Sequence, residues 1–256
     1  MATSAEILDN IVRRAIANSE QPVIKDAAIL ERVGFVCRNS NRSAVRALLA
    51  CLLAKIHNPD VDIRKPYTEL EGNDTYSGRR YDEKFITAFI NTHHLPCNLT
   101  TAFLTPAFRD RVVLTPDVIL NGRPPQLYKT LLLLFNDVHT GAASAEDLLT
   151  EIVKCLLVIR DEKLQWMETV KDRIKASEGA APLSAEAIVT LIDQHLHCPK
   201  ASRLPVLVVA AAYHAAQTRL GERIKPLQAH NAADEQTGSL GDLEVTLIND
   251  EKVITS

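Results

Sequence analysis

The chain has 256 residues, 46% of them hydrophobic and 24% charged, so it holds material for one large or two modest cores without disulfide support. Its 29 basic and 32 acidic residues leave a net charge of -3, which excludes a globally basic nucleic-acid binder and confines any DNA-binding surface to a local patch. The five cysteines lack Cys-x-x-Cys spacing and residues 1–10 lack a charged-then-apolar signal pattern, so reduced thiols in a cytoplasmic protein without membrane attachment are the expectation.

Residues 5–17 place Ile7, Leu8, Ile11, Val12 and Ile16 on one face at helical spacing. A second helix is predicted over 25–37. A third follows Ser40 or Asn41 as N-cap and runs through Ala44, Val45, Leu48, Leu49, Leu52 and Leu53 to the Asn58-Pro59 stop, with its apolar face buried. Residues 60–78 are polar and punctuated by Pro66, Gly72 and Asn73, which predicts a loop. The helical period resumes over 81–92 through Phe85, Ile86, Phe89 and Ile90. Pro96, Pro106, Pro116, Pro124 and Pro125 make 93–125 irregular, with only short helical or extended pieces.

Helix returns at Gln126, and Ser144 with Asp147 resembles a capping box that opens a long helix over 145–175. Small residues and Pro182 mark 176–182 as a linker, after which Ser184 caps a helix ending near Cys198-Pro199. Residues 205–220 are apolar on almost every side and predict a buried helix; the apolar run 204–216 is too short to cross a bilayer. Leu243, Val245 and Leu247 then alternate with Glu244, Thr246 and Ile248, 249–252 reads as a turn, and 253–256 starts a return strand. The expected fold class is mainly α: a multi-helical region over 1–176, then at 183–256 the beginning of an α/β domain with a truncated β-hairpin. With Ile248 and Val253 flanking the turn, antiparallel pairing places the partner of Asp242 past Ser256.

Several groups could carry chemistry. The loop 230–242 is dense in oxygen and nitrogen donors, including His230, Asn231, Asp234, Glu235 and Asp242. Asp242 at a strand entrance suits Mg²⁺, which takes oxygen ligands and keeps waters until a substrate phosphate completes its shell; the alternative is an Asp that only caps local backbone groups. Glu244 shares its strand face, as a second ligand or a solvent-facing residue. For DNA, Tyr76, Ser77, Arg79 and Arg80 gather before a helix N-terminus, a place suited to phosphate, unless the arginines pair with Asp82 and Glu83. Arg38, Arg42 and Arg46 recur every four residues as a basic stripe or a solvated face, and Arg109 with Arg111 forms a further patch. His93-His94-x-x-Cys97 and His195-x-His197-Cys198 hold zinc-type donors, although capping of Pro-stopped helix ends explains both. Phosphate-cradling Gly loops and a Gly-x-Ser-x-Gly elbow are absent from the sequence, which counts against nucleotide-binding folds and serine hydrolases.

Three separated segments carry a resemblance: Ser-Gly-Arg-Arg-Tyr-Asp-Glu at 77–83, Thr-Thr-Ala-Phe-Leu-Thr-Pro-Ala-Phe-Arg at 100–109, and His-Asn-Ala-Ala-Asp-Glu-Gln-Thr-Gly-Ser-Leu-Gly-Asp-Leu-Glu-Val-Thr-Leu-Ile at 230–248. Together they resemble the SacI family of type II restriction endonucleases, over the chain from Arg38 onward. The resemblance implies a Mg²⁺-dependent nuclease domain of the PD-(D/E)xK type that hydrolyses double-stranded DNA at a specific site. It implies Asp242 as metal ligand and catalytic residue and Glu244 beside it, with His230 and Asn231 near the DNA backbone or the metal. The family's Glu-x-Lys is expected just past Ser256, so the chain is expected to be an inactive N-terminal fragment. Palindromic sites make a homodimer the natural expectation. The non-enzyme alternative is a helical DNA-binding or protein-interaction module with a structural terminal hairpin.

Overall fold

In the computed structural model, which describes residues 3–176, 183–198, 204–225, 244–247 and 253–255, Thr3 starts α1 (Ser4–Ala17) through a capping box. Its hydroxyl accepts from the Glu6 N–H at 3.3 Å, and the Glu6 carboxylate accepts from the Thr3 N–H at 2.7 Å. Asp26 caps α2 (Ala27–Arg38) by accepting from the Ala28 and Ile29 N–H groups. The third helix, α3 (Ser43–His57), begins later than its sequence suggests, because Asn41 turns its side-chain oxygen to the Ser43 N–H at 3.0 Å and hydroxyl at 2.7 Å. This leaves Arg42 at the cap position without a side-chain cap.

Residues 44–54 of α3 are buried on every side, more than one apolar face would require. The alanines on its back allow α1, α2, α6 (Pro125–His139) and the 78–86 segment to pack around it. Each fully buried leucine there contributes about 1.5–3 kcal/mol of transfer free energy.

The predicted helix over 81–92 is broken into α4 (Gly78–Tyr81), a π-turn (Asp82–Ile86) and α5 (Thr87–Thr92). The cause is a charge inside the core. Arg46, which the sequence places on an exposed basic stripe or a solvated face, is 1% exposed, and its Nε donates to Asp82 Oδ1 at 2.7 Å. Asp82, itself 0% exposed, accepts at Oδ2 from the Thr101 hydroxyl at 2.7 Å and the Ala102 N–H at 2.9 Å. Arg46 Nη2 donates to the Thr87 hydroxyl at 2.7 Å, and Nη1 donates to the Asn98 carbonyl. The wider turn carries Thr87 to Arg46: the Thr87 N–H and hydroxyl both reach back five residues to the Asp82 carbonyl.

The loop 60–78 is a loop as predicted, but an ordered one. The Asp62 N–H donates to the Asp74 carbonyl at 2.8 Å, Lys65 pairs with Asp74 at 2.9 Å, and the buried Tyr76 hydroxyl donates to the Ile63 carbonyl at 2.7 Å. Burial opposes ionisation of Asp62, yet the Arg64 guanidinium and N–H, with His139 nearby, outweigh it and hold the carboxyl below its ordinary value. A depressed folded-state pKa gives stability that is present above the unfolded value, near 4, and is lost as pH falls through the folded one. Asp62→Asn is therefore expected to cost about 1–2 kcal/mol at pH 7 and almost nothing near pH 2, measured by urea unfolding at both. An equal loss at both pH values would remove the ionised carboxylate from the explanation.

The proline-rich stretch forms single turns at Ala102–Leu104 and Pro106–Phe108. Ser144 accepts from the Asp147 N–H at 3.0 Å and opens α7 (Ala145–Ala176). By contacts the chain divides into two compact units, Met1–Lys175 and Ala176–Ser256.

In the second unit Ser184 caps α8 (Ala185–Leu196), followed by α9 (Leu204–Leu220) and a small antiparallel sheet of β1 (Glu222–Ile224), β2 (Val245–Leu247) and β3 (Val253–Thr255) in that order. The two strands expected to form a hairpin do pair as β2 and β3, but in another register: Val253 faces Thr246 where Ile248 was expected, Val245 faces Thr255, and the pairing is irregular between Val245 and Thr246. Strand β1 was not legible; it lies on the other edge of β2, pairing Ile224 with Val245 and Glu222 with Leu247. Two further expectations are corrected. Val245 and Thr246 are both buried, so the strand does not alternate cleanly. Helix α9 is not a buried helix: among its described side chains only Ala210 is buried, while Leu207, Val209 and Leu220 are about half exposed. Apolar composition permits burial, but within this unit α9 packs chiefly on β1 and α8, which cover only part of its circumference. The predicted linker 176–182, loop 230–242 and turn 249–252 lie outside the described residues. Among the described residues no helix is long and apolar enough to cross a membrane.

Candidate nucleic-acid interface

Ser77 begins the site. Its side-chain oxygen accepts from the Arg80 N–H at 3.2 Å, which starts α4 and turns Arg79 and Arg80 outward. Gly78 is required here by close approach: a Cβ would stand 2.5 Å from Phe103 Cζ and 2.8 Å from Pro66 Cβ. That contact presses the 100–109 segment against the 77–83 segment. Tyr67 strengthens it by donating its hydroxyl to the Phe108 carbonyl at 3.1 Å.

The result is a cleft of about 370 Å³ whose walls include Ser77, Arg79, Arg109, Arg111, Glu69 and Leu104. A second depression, of about 360 Å³, adjoins it and shares Thr68 and Ser77; its other polar walls are His57, Arg80, Tyr81 and Lys84. Five Arg or Lys side chains thus line the two clefts, against the single carboxylate of Glu69. Arg79 pairs with Glu83 at 2.7 Å and Arg111 with Glu69 at 2.8 Å, all four side chains about half exposed. Exposed pairs of this kind are worth about 0–1 kcal/mol, so a phosphate can displace the carboxylate at little cost. Arg80, Lys84 and Arg109 form no ion pair among the described residues. Tyr81 sits 2.7 Å from His57 Nδ1, and partial burial raises its phenol above the ordinary value, so the hydroxyl remains a neutral hydrogen-bonding group.

Of the DNA-contact candidates, Ser77, Arg79 and Arg109 come together in one cleft, and Ser77 and Arg80 in its neighbour. Tyr76 does not join them: it is buried, and its hydroxyl is held by Ile63. The basic stripe does not form, because the chain breaks between α2 and α3. Arg38 closes α2 and grips Glu162 at 2.9 and 3.0 Å, Arg42 is half-buried at the α3 cap, and Arg46 is inside the core. His230, Asn231 and Asp242 lie outside the described residues. Thr68 and Glu69 had no signal in the sequence, since a loop residue's spatial neighbours follow no period. Lys84 did have one, four residues after Arg80.

A larger cleft of about 640 Å³, lined by Asn41, Ser43, Arg123 and Tyr128 among others, is less suited to a phosphate chain. Its polar groups bond one another: the Ser43 and Tyr128 hydroxyls lie 2.8 Å apart, and Asn41 donates to the Arg123 carbonyl at 2.8 Å.

In the second unit the Glu244 carboxylate lies 2.9 Å from Lys225 Nζ, on the edge where the Lys225 N–H donates to the Glu244 carbonyl at 3.0 Å. Among the described residues no three His, Cys, Asp or Glu side chains gather as ligands, so these residues do not by themselves assemble a Mg²⁺ site. Each cluster proposed for zinc stands at a helix end: His93 closes α5 and packs on Phe89, and His197 closes α8 with Nδ1 2.7 Å from the Asp193 carbonyl. No protein-family model matches the chain, and no curated protein matches it by sequence.

Proposed function

We propose that this chain is the DNA-recognition and scaffold part of a type II restriction endonuclease, holding double-stranded DNA along the twin basic clefts and depending on Asp242 and Mg²⁺ for hydrolysis. One observation carries the DNA half. Two of the segments that resemble the SacI family, 77–83 and 100–109, are far apart in sequence yet contribute Ser77, Arg79 and Arg109 to one cleft. Arginines on both walls can hold successive phosphates, and the rigid Gly78–Phe103 contact keeps them in register. The hydrolytic half rests on the resemblance at 230–248. A palindromic site would call for two copies of the chain.

The alternative reading, a non-catalytic helical DNA-binding module, is favoured by the Lys225–Glu244 pair, which gives Glu244 a structural role in the sheet. Both readings share the clefts. Duplex binding followed by fluorescence anisotropy is expected to weaken steeply with salt. Arg79→Ala with Arg109→Ala should weaken it at every sequence and flatten the salt slope by about two. Unchanged affinity in that double variant would remove the clefts from DNA binding.

A further inference from the structure

Tyr81 differs from the other tyrosines of the first unit in what its hydroxyl meets. Tyr67 and Tyr76 donate to the Phe108 and Ile63 carbonyls, and Tyr128 lies 2.8 Å from the Ser43 hydroxyl, so each is held by a group that does not take its proton. Tyr81 instead stands 2.7 Å from His57 Nδ1, with the two rings edge to face and 5.9 Å between centroids. Both residues are partly exposed, and both line the depression of about 360 Å³ together with Ser77, Arg80 and Lys84.

These groups are the parts of a nucleophilic phosphoryl transfer. Burial raises the Tyr81 phenol more than the Arg80 charge lowers it, so the hydroxyl needs a base within reach to release its proton. His57 is that base when its own proton sits on Nε2, which leaves the Nδ1 lone pair facing the hydroxyl. It belongs to the last turn of α3, where the carbonyl end of the helix favours the positive charge that His57 acquires. Lys84 Nζ stands 5.1 Å from the centre of the Phe85 ring, and that ring lies 5.8 Å from the Tyr81 ring, so an ammonium stays close to the phenol. Arg80 and Lys84 form no ion pair among the described residues and are open to the charge of a phosphodiester.

We propose that Tyr81 is a nucleophile toward DNA, activated by His57, and that the chain breaks and rejoins a strand through a phosphotyrosyl link with the cations of the cleft in place of a metal ion. This chemistry rests on the duplex binding proposed above and is independent of Asp242. The Tyr81 proton moves to His57 Nδ1 as the phenolic oxygen attacks phosphorus. A P–O bond to tyrosine forms, the P–O bond to one deoxyribose oxygen breaks, and that oxygen takes up a proton while His57 sheds its own, so one hydroxyl is consumed and one produced. Arg80 and Lys84 stabilise the charge on the non-bridging oxygens. Attack by the freed deoxyribose hydroxyl on the link then restores both the strand and the phenol.

The test incubates the whole chain, in EDTA, with random-sequence duplexes nicked so that the released segment is short and diffuses away, labelled at the 3′ end in one arm and the 5′ end in the other. The expected result is a protein–DNA adduct that resists SDS, carries one of the two labels and maps by mass spectrometry to the peptide holding Tyr81. Tyr81→Phe, which keeps the ring and its packing, should lose the adduct while still binding duplex by fluorescence anisotropy, and His57→Gln should slow adduct formation about a hundredfold. Absence of an adduct from protein that binds duplex would overturn this proposal alone, whereas absence of binding would overturn the DNA-binding clefts along with it. An adduct that survives Tyr81→Phe, or that maps to another residue, would remove Tyr81 as the nucleophile.

Discussion

Replacing Asp82 by alanine is expected to destabilise the first unit by about 3–5 kcal/mol, read as a large fall in the urea midpoint at pH 7. The magnitude follows from what remains. Arg46 is 1% exposed and its guanidinium cannot reach water without opening the core, so removing Asp82 leaves a buried cation with only a hydroxyl and a carbonyl for partners. The Thr101 hydroxyl and Ala102 N–H lose their acceptor in the same change. Pairing Asp82→Ala with Arg46→Met should recover much of the loss, because the penalty lies in the unmatched charge and less in the absent ion pair. A loss under about 1 kcal/mol for the single variant would mean that water enters and screens the guanidinium. The effect should extend to DNA. Asp82 anchors the π-turn immediately after Arg79 and Arg80, so variants that still fold should bind duplex more weakly.

On the proposed function, Asp242→Ala is expected to abolish metal-dependent cutting while leaving affinity for duplex DNA within about twofold. A metal-assisted mechanism draws its nucleophile and much of its charge stabilisation from the ion, so loss of a direct ligand should lower cutting by about a thousandfold or more. The basic clefts proposed to hold the duplex are built wholly from residues of the first unit. The two variants therefore separate the two halves of the proposal. Arg79→Ala with Arg109→Ala should act through binding, and Asp242→Ala through the rate of hydrolysis at saturating DNA. Undiminished cutting by Asp242→Ala removes that carboxylate from the chemistry, whereas equal losses of binding and cutting would make its role structural.

The helices were the legible part of this chain. The period of Ile7, Leu8, Ile11 and Val12, the Ser144 and Ser184 caps, and the proline-broken stretch 93–125 are local signals, and the elements follow them closely. The two terminal strands were legible from their alternation and do pair, though not in the register their flanking residues suggested, whereas β1 is too short and too polar to announce itself beside an apolar helix. The arginines of 79–80 and 109 stand out in the sequence by their local setting and by the resembling segments that hold them. Which of them meet depended on Phe103 packing against Gly78, a contact without a sequence signature.

By itself the sequence determined that this chain is built mainly of helices and where most of them start and stop, because capping, periodicity and proline act over a few residues. Only the tertiary structure decided that Arg46 belongs to the core and Arg79 to a cleft, and that α9 stays half exposed. Spacing along a helix tells which side chains share a face, but burial and charge pairing depend on what packs opposite. For Arg46 that partner, Asp82, lies 36 residues away.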